Sequence, residues 1–228
     1  MLLLLAMLSA CGKGGHDGGY FPLTPGSQWQ YRVERTTMDG TRQLRHALSV
    51  LGPAANQPAD LRTRVTLDGQ RYIYRVNEDG TYRIGIERRR GPRSLEDDQQ
   101  VLVMPRAPTL DQQWQDRSST AVLESSAAPW ETLFRVQVPV EMHFRVAALD
   151  ASITTPAGTF PHCLLLEGHG TSDADLGNGV GPTHIDVTTQ EWYAPGVGLV
   201  RLERNEQSSA KALKSGALVM ELDDWSHP

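Results

Sequence analysis

The chain predicts an all-β protein, an antiparallel meander curled into a half-barrel or barrel, and three observations carry that prediction. Apolar and polar residues alternate along most of its length, Asp-Gly pairs interrupt the alternation at regular places, and no stretch combines helix caps with apolar residues at i, i+3 and i+4. A two-sheet sandwich is the alternative arrangement of such strands.

The elements follow in order. Trp29, Tyr31 and Val33 alternate with Gln30, Arg32 and Glu34, and after Asp39-Gly40 the residues Leu44, His46, Leu48 and Val50 take alternate positions, which writes a hairpin. Leu61 to Leu67 leads through Asp68-Gly69 into Tyr72 to Val76, and Asp79-Gly80 leads into Tyr82, Ile84 and Ile86, so a five-stranded meander is expected. Regularity weakens between Arg88 and Asp116, where Arg88-Arg89-Arg90 with Arg93, the acidic Glu96 to Asp98 and a short apolar piece, Val101 to Met104, suggest a long connection holding one strand. Trp114 to Glu124 reads as extended. Val136, Val138, Val140, Met142, Phe144 and Val146 then share one parity, which suits one strongly curved strand or two, with Pro139 on the other parity at an edge or bend. Phe160 to Glu167, His184 to Tyr193, Leu199 to Glu206 and Ala210 to Leu222 complete the strands; Leu110 to Gln115 and Ser125 to Leu133 leave room for one or two helical turns.

The organisation is expected to be a signal peptide over residues 1–10, a flexible tether over 11–19 and a single β-domain over 20–228. Leu2 to Met7 is far shorter than the ~20 apolar residues of a spanning helix, so it reads as the apolar core of a secretory signal. No Lys or Arg precedes Lys13, which places the expected translation start further upstream. Gly12 to Gly19 has the composition of a flexible coil. A formal net charge of −5 argues against nucleic acid as a partner, because phosphate binding needs a concentrated positive face.

Leu8-Ser9-Ala10-Cys11 resembles the lipobox of bacterial lipoproteins. The resemblance implies cleavage between Ala10 and Cys11 and a lipid, palmitate among its acyl chains, on the Cys11 sulfur; several chains hold a protein to a membrane far more firmly than one. Gly12 in second place implies, by the same resemblance, sorting to the outer membrane with the body on the periplasmic face. With Cys11 modified, Cys163 has no partner among the two cysteines and is expected as a buried free thiol.

Three further stretches carry a second resemblance. Phe21-Pro22-Leu23-Thr24-Pro25-Gly26-Ser27-Gln28-Trp29-Gln30-Tyr31-Arg32, Thr155-Pro156-Ala157-Gly158-Thr159-Phe160 and Glu191-Trp192-Tyr193-Ala194-Pro195-Gly196-Val197-Gly198-Leu199-Val200 are similar to phrases of a broad group of bacterial envelope lipoproteins. The resemblance implies a curved β-sheet related to the lipoprotein carriers of the Lol type, and it brings no catalytic residues. Each phrase also reads as architecture, Pro and Gly making turns and Trp29 entering the core.

The candidates for chemistry are weaker. Ser172 to Gly179, with Asp173, Asp175 and Asn178, has the composition of a calcium loop, but Gly177 and His184 stand where an EF-hand wants oxygen ligands, so a solvated turn is the expectation. His162 shares parity with Phe160, Leu164 and Leu166 and is expected in the core or at its rim; it adjoins Cys163, but neighbours on a strand face opposite sides and do not grip one ion. No nucleophile elbow, phosphate loop or dinucleotide fingerprint occurs, so no enzyme, metal or cofactor is expected. The expected function is therefore binding: an acyl chain or other hydrophobic ligand held in the curved sheet, with Val136, Val138, Val140, Met142 and Phe144 as lining, although a filled core fits their spacing equally. The alternative is a structural or assembly module that contacts another envelope protein through sheet edges and exposed aromatics such as Trp130 and Trp225.

Overall fold

The computed structural model describes residues 19–54, 58–87, 100–127, 132–177 and 180–228. The signal and tether, Ala10 and Cys11, Trp130, Arg88 to Arg90, Arg93, Glu96 to Asp98 and Asn178-Gly179 lie outside them.

Among the described residues the chain forms strands β1 (Gln28–Thr37), β2 (Gly40–Val50), β3 (Leu61–Thr66), β4 (Arg71–Val76), β5 (Gly80–Glu87), β6 (Val101–Pro105), β7 (Gln113–Ser119), β8 (Glu124–Ala127), β9 (Thr132–Arg135), β10 (Pro139–Thr155), β11 (Gly158–Asp175), β12 (Pro182–Ala194), β13 (Gly198–Ser208) and β14 (Ser215–Ser226), with one 3₁₀ turn, Lys211–Leu213. Twelve of them make one antiparallel sheet in the order β6, β5, β4, β3, β2, β1, β14, β13, β12, β11, β10, β7, while β8 and β9 pair as a separate hairpin. The expected five-stranded meander is β1 to β5, β6 adds a sixth strand beside β5, and the pairing of β1 with β14 joins it to the second meander. The sheet curls until its edges approach: Arg83 of β5 donates to the Asp116 carboxylate of β7 at 2.7 Å and to the Arg117 carbonyl at 3.0 Å, so side chains bridge the seam of a nearly closed barrel.

Local chemistry sets the turns. Between β3 and β4, Gly69 takes φ +85°, a left-handed position that a side chain resists, and the Thr66 hydroxyl accepts from the Gln70 amide at 3.0 Å. Curvature comes from irregular register: β10 shifts against β11 at three places between Val146 and Ile153.

Each end of the barrel is closed by chain. At one end the segment before β1 lays Phe21 beside Tyr74, ring centres 5.2 Å apart, and the Gly196 amide donates to the Gly19 carbonyl at 3.0 Å. At the other end the chain around β8 and β9, residues 120–127 and 132–138, covers the barrel, and Val122 and Leu123 are buried there.

Several local expectations are corrected. Gln113–Gln115 belongs to β7, and Ser125 and Leu133 belong to β8 and β9, so no helical turn forms there; backbone pairing across the hairpin replaces the i to i−4 bonds of a helix. The long one-parity run is broken, since Val136 to Val138 link β9 to β10, which opens at the exposed Pro139. His162 is an exposed residue at φ +58°, with its imidazole 2.5 Å from Asp150; that backbone kink breaks the assumed parity, and Cys163 and Leu164 are both buried behind it. Ser172 to Asp175 continue β11 instead of forming a loop. Trp225, expected as an exposed aromatic at a loop position, is 37% exposed but sits inside β14, opposite Trp29 and 4.9 Å from the His227 ring.

Candidate functional site

The inner face of the barrel is legible as rungs that cross the strands. One rung runs Leu44, Val33, Met220, Leu202, Glu191, Leu166, Val146; the next runs Arg35, Leu218, Arg204, Thr189, Gly168, Phe144, Trp114. A third places Glu206, Val187, Gly170, Met142 and Asp116 side by side. Because the side-chain period of a strand is two, each rung puts all of its members on one face.

The structure brings the five expected lining residues together at the end closed by Thr120 to Val138. Val140 and Met142 are wholly buried against Leu123, Ile185 and Val187, with Val136, Val138 and Phe144 partly buried around them. Phe144 stacks on Trp114 at 5.9 Å and 16°. The interior is filled there: a Cβ on Gly170 would stand 2.5 Å from the Glu141 carbonyl and 2.7 Å from the Met142 sulfur.

Further along, the inner face is more polar than the expected apolar lining. Glu206, 0% exposed, accepts from the amides of Ala121 at 2.8 Å and Val122 at 3.0 Å and from Arg204 Nε at 2.7 Å. Arg204 also donates to the Ser119 carbonyl at 2.8 Å, across the barrel. This network ties the end segment to β13 and satisfies a buried charge that would otherwise be costly. Glu191 has a different environment. Its carboxylate accepts the Tyr193 hydroxyl at 2.6 Å, and burial, with the Asp116 charge adding to it, holds its pKa above the usual carboxylate range. Burial also raises Asp116, against the pull of Arg83. Tyr193 and Tyr31 are pushed well up by the same cause.

Near the N-terminal segment Arg64 is 6% exposed, yet no carboxylate among the described residues pairs with it. Its guanidinium lies 3.8 Å from the Phe21 ring centre and 4.8 Å from that of Trp29, and one nitrogen donates to the Pro22 carbonyl at 2.8 Å while Nε has no partner. Aromatic faces replace a counter-ion here and draw the N-terminal segment over the barrel end.

Between the filled end and Arg64, Leu202, Leu218 and Met220 face inward but keep partial exposure, and Leu44, at the end of the rung that holds Met220 and Leu202, is 47% exposed. Water therefore reaches the inner face in this belt. Beside it, among the described residues, no strand pairs with Gly40–His46 of β2 on the side away from β1.

Cys163 is free and buried; burial pushes its thiol up to about 11 and the thiol donates to the Phe160 carbonyl at 3.4 Å, a poor setting for a nucleophile. Asp173 lies 2.7 Å from His184 Nδ1, an arrangement that raises the imidazole's pKa, and no group of three His, Cys, Asp or Glu among the described residues is placed to hold a metal ion. The inner charges went unread in the sequence, although a signal existed: Glu191 shares parity with Ile185, Val187 and Tyr193, and Glu206 with Leu202.

A search of curated proteins finds no match. Two solved structures align over 92% of this chain. One, described as a "putative exported protein with YmcC-like fold" from Bacteroides fragilis, is 15% identical, is covered over 100% of its length and gives a TM-score of 0.46. The other, a "putative lipoprotein" from Parabacteroides distasonis, is 15% identical, is covered over 99% and gives 0.38. Residues 111–215, which run from the approach to β7 through β13 to the start of β14 and carry Glu191, Arg204 and Glu206, match the model of the DUF3108-like family.

Proposed function

We propose that the chain is an envelope lipoprotein, anchored through Cys11 to the periplasmic face of the outer membrane, whose barrel binds a hydrophobic or acyl-bearing ligand without transforming it. The anchor rests on Leu8-Ser9-Ala10-Cys11 and the glycine-rich tether behind it. One observation supports ligand binding above the others: the inward-facing Leu202, Leu218 and Met220 are only partly buried, and Leu44, beside the unpaired stretch of β2, is 47% exposed. The place for an acyl chain is thus this apolar belt, while Val140 and Met142 form its packed floor. The alternative reading, an assembly module, draws on the unpaired side of Gly40–His46, where a partner strand would add to the sheet.

Two measurements test the proposal. Cells fed radioactive palmitate should label the wild-type protein and not Cys11→Ser; an unlabelled wild type overturns the anchor. The Cys11→Ser protein, freed of its own lipid, should retain acyl species in native mass spectrometry, and Leu202→Trp, which fills the belt, should remove them. A bare protein that also fails to take up a fluorescent fatty acid would leave the assembly reading in its place.

A further inference from the structure

An open cleft of about 440 Å³ crosses the outer face of β10 to β13, a face the proposed ligand site does not use. Two rungs build it. His143, His169, Thr188 and Asn205 stand side by side on successive strands, and Arg145, Glu167, Gln190 and Glu203 do the same one rung along. We propose that this cleft binds a neutral, polyhydroxylated chain, a short stretch of glycan.

The charges of the cleft are already answered from within. Arg145 donates to Asp111 at 2.8 Å and to Glu167 at 2.7 Å, and Glu203 accepts from Arg201 at 2.8 Å. An ionic ligand would have to break these pairs, whereas a neutral one leaves them in place. Gln190 points its amide at Glu167 over a long 3.4 Å, and the Gln115 amide reaches His143 Nδ1 at the same distance, contacts that orient Gln190 and His143. Thr188, Asn205 and the His143 nitrogen away from Gln115 present donors and acceptors that suit hydroxyl groups, while His169 Nε2 lies 4.0 Å from Asp186. A peptide finds less here. The cleft lies over the middle of a sheet whose backbone is fully paired on these strands, so no edge is free to receive a main chain. Four strands spaced about 4.8 Å apart span about 14 Å, the reach of a short oligosaccharide lying across them.

The test titrates the full chain with maltotriose, cellotriose and chitotriose, read by saturation-transfer NMR and calorimetry. Without an aromatic ring in the lining to stack on a sugar face, the Kd expected for at least one of the three is on the order of 0.1–1 mM. Thr188→Arg and Asn205→Arg, each placing a long charged side chain across the exposed rung, should weaken that binding at least tenfold with the melting temperature unchanged. Either variant that keeps its melting temperature suffices for the comparison. No binding of any of the three at about 10 mM overturns the proposal, and so does equal binding by wild type and both variants. The outcome is separate from the acyl-ligand reading, because Leu202→Trp lies on the opposite face and should leave saccharide binding intact.

Discussion

Glu206 and Glu167 sit on the same curved sheet, two strands apart, and face opposite ways. Glu206 points inward, is 0% exposed, and has both carboxylate oxygens occupied by two backbone amides and Arg204. Glu167 points outward with 39% of its side chain exposed and meets an Arg145 that is itself 43% exposed. The pairs look alike in distance, at 2.7 Å each. They differ in what replaces them if they are lost: water reaches the outer pair and cannot reach the inner one. The inner pair is therefore part of the architecture, while the outer pair stays in contact with water and adds little to stability.

The largest effect that would sharpen this contrast is expected from Glu206→Ala. It strands Arg204 and the amides of Ala121 and Val122, and chemical denaturation should record a loss of about 3–5 kcal/mol, with the end segment Thr120 to Val138 gaining hydrogen exchange first. Met142→Ala should follow at about 2–5 kcal/mol, because the 0%-exposed thioether leaves a void that Val140 and Ile185 do not collapse to fill. A loss under about 1 kcal/mol would break the view that this end of the barrel is a packed floor.

A smaller, pH-dependent effect is expected from Glu191→Gln. The folded protein holds the Glu191 pKa above its unfolded value, so the native state binds the extra proton and stability falls as pH rises from the ordinary carboxylate range through the raised folded value. The glutamine variant removes that penalty: it should be the more stable protein at neutral pH, and the two should converge below about pH 4, where glutamate is protonated in both states. Equal stability at every pH would place Glu191 in water. Smallest of all, Glu167→Gln on the outer face should leave the denaturation midpoint within experimental scatter.

The contrast also marks how far residue patterns carry. The strands, the hairpins at Asp39-Gly40 and Asp68-Gly69 and the curvature were legible because period-two alternation and turn chemistry are local properties. The cluster of Val136, Val138, Val140, Met142 and Phe144 was legible for the same reason, although alternation does not distinguish a lined cavity from a filled floor. His162 was misread because one left-handed residue reverses parity, and nothing in Pro161-His162-Cys163 announces it. Glu191, Arg204 and Glu206 were overlooked because a charged residue on an apolar parity looks like an interruption until its partner is known, and for Arg204 and Glu206 those partners include Ser119, Ala121 and Val122, 84 or 85 residues away in the chain.

What residue order determined by itself is the period of the backbone and the placement of turns, both of which depend on neighbours a few positions apart. Tertiary structure alone decided which side of each strand faces in, that the N- and C-terminal strands pair, and that Arg64 is held by aromatic rings instead of a counter-ion. The physical reason is that burial and ion pairing depend on which distant strands are adjacent, and adjacency is created only when the sheet curls and its edges meet.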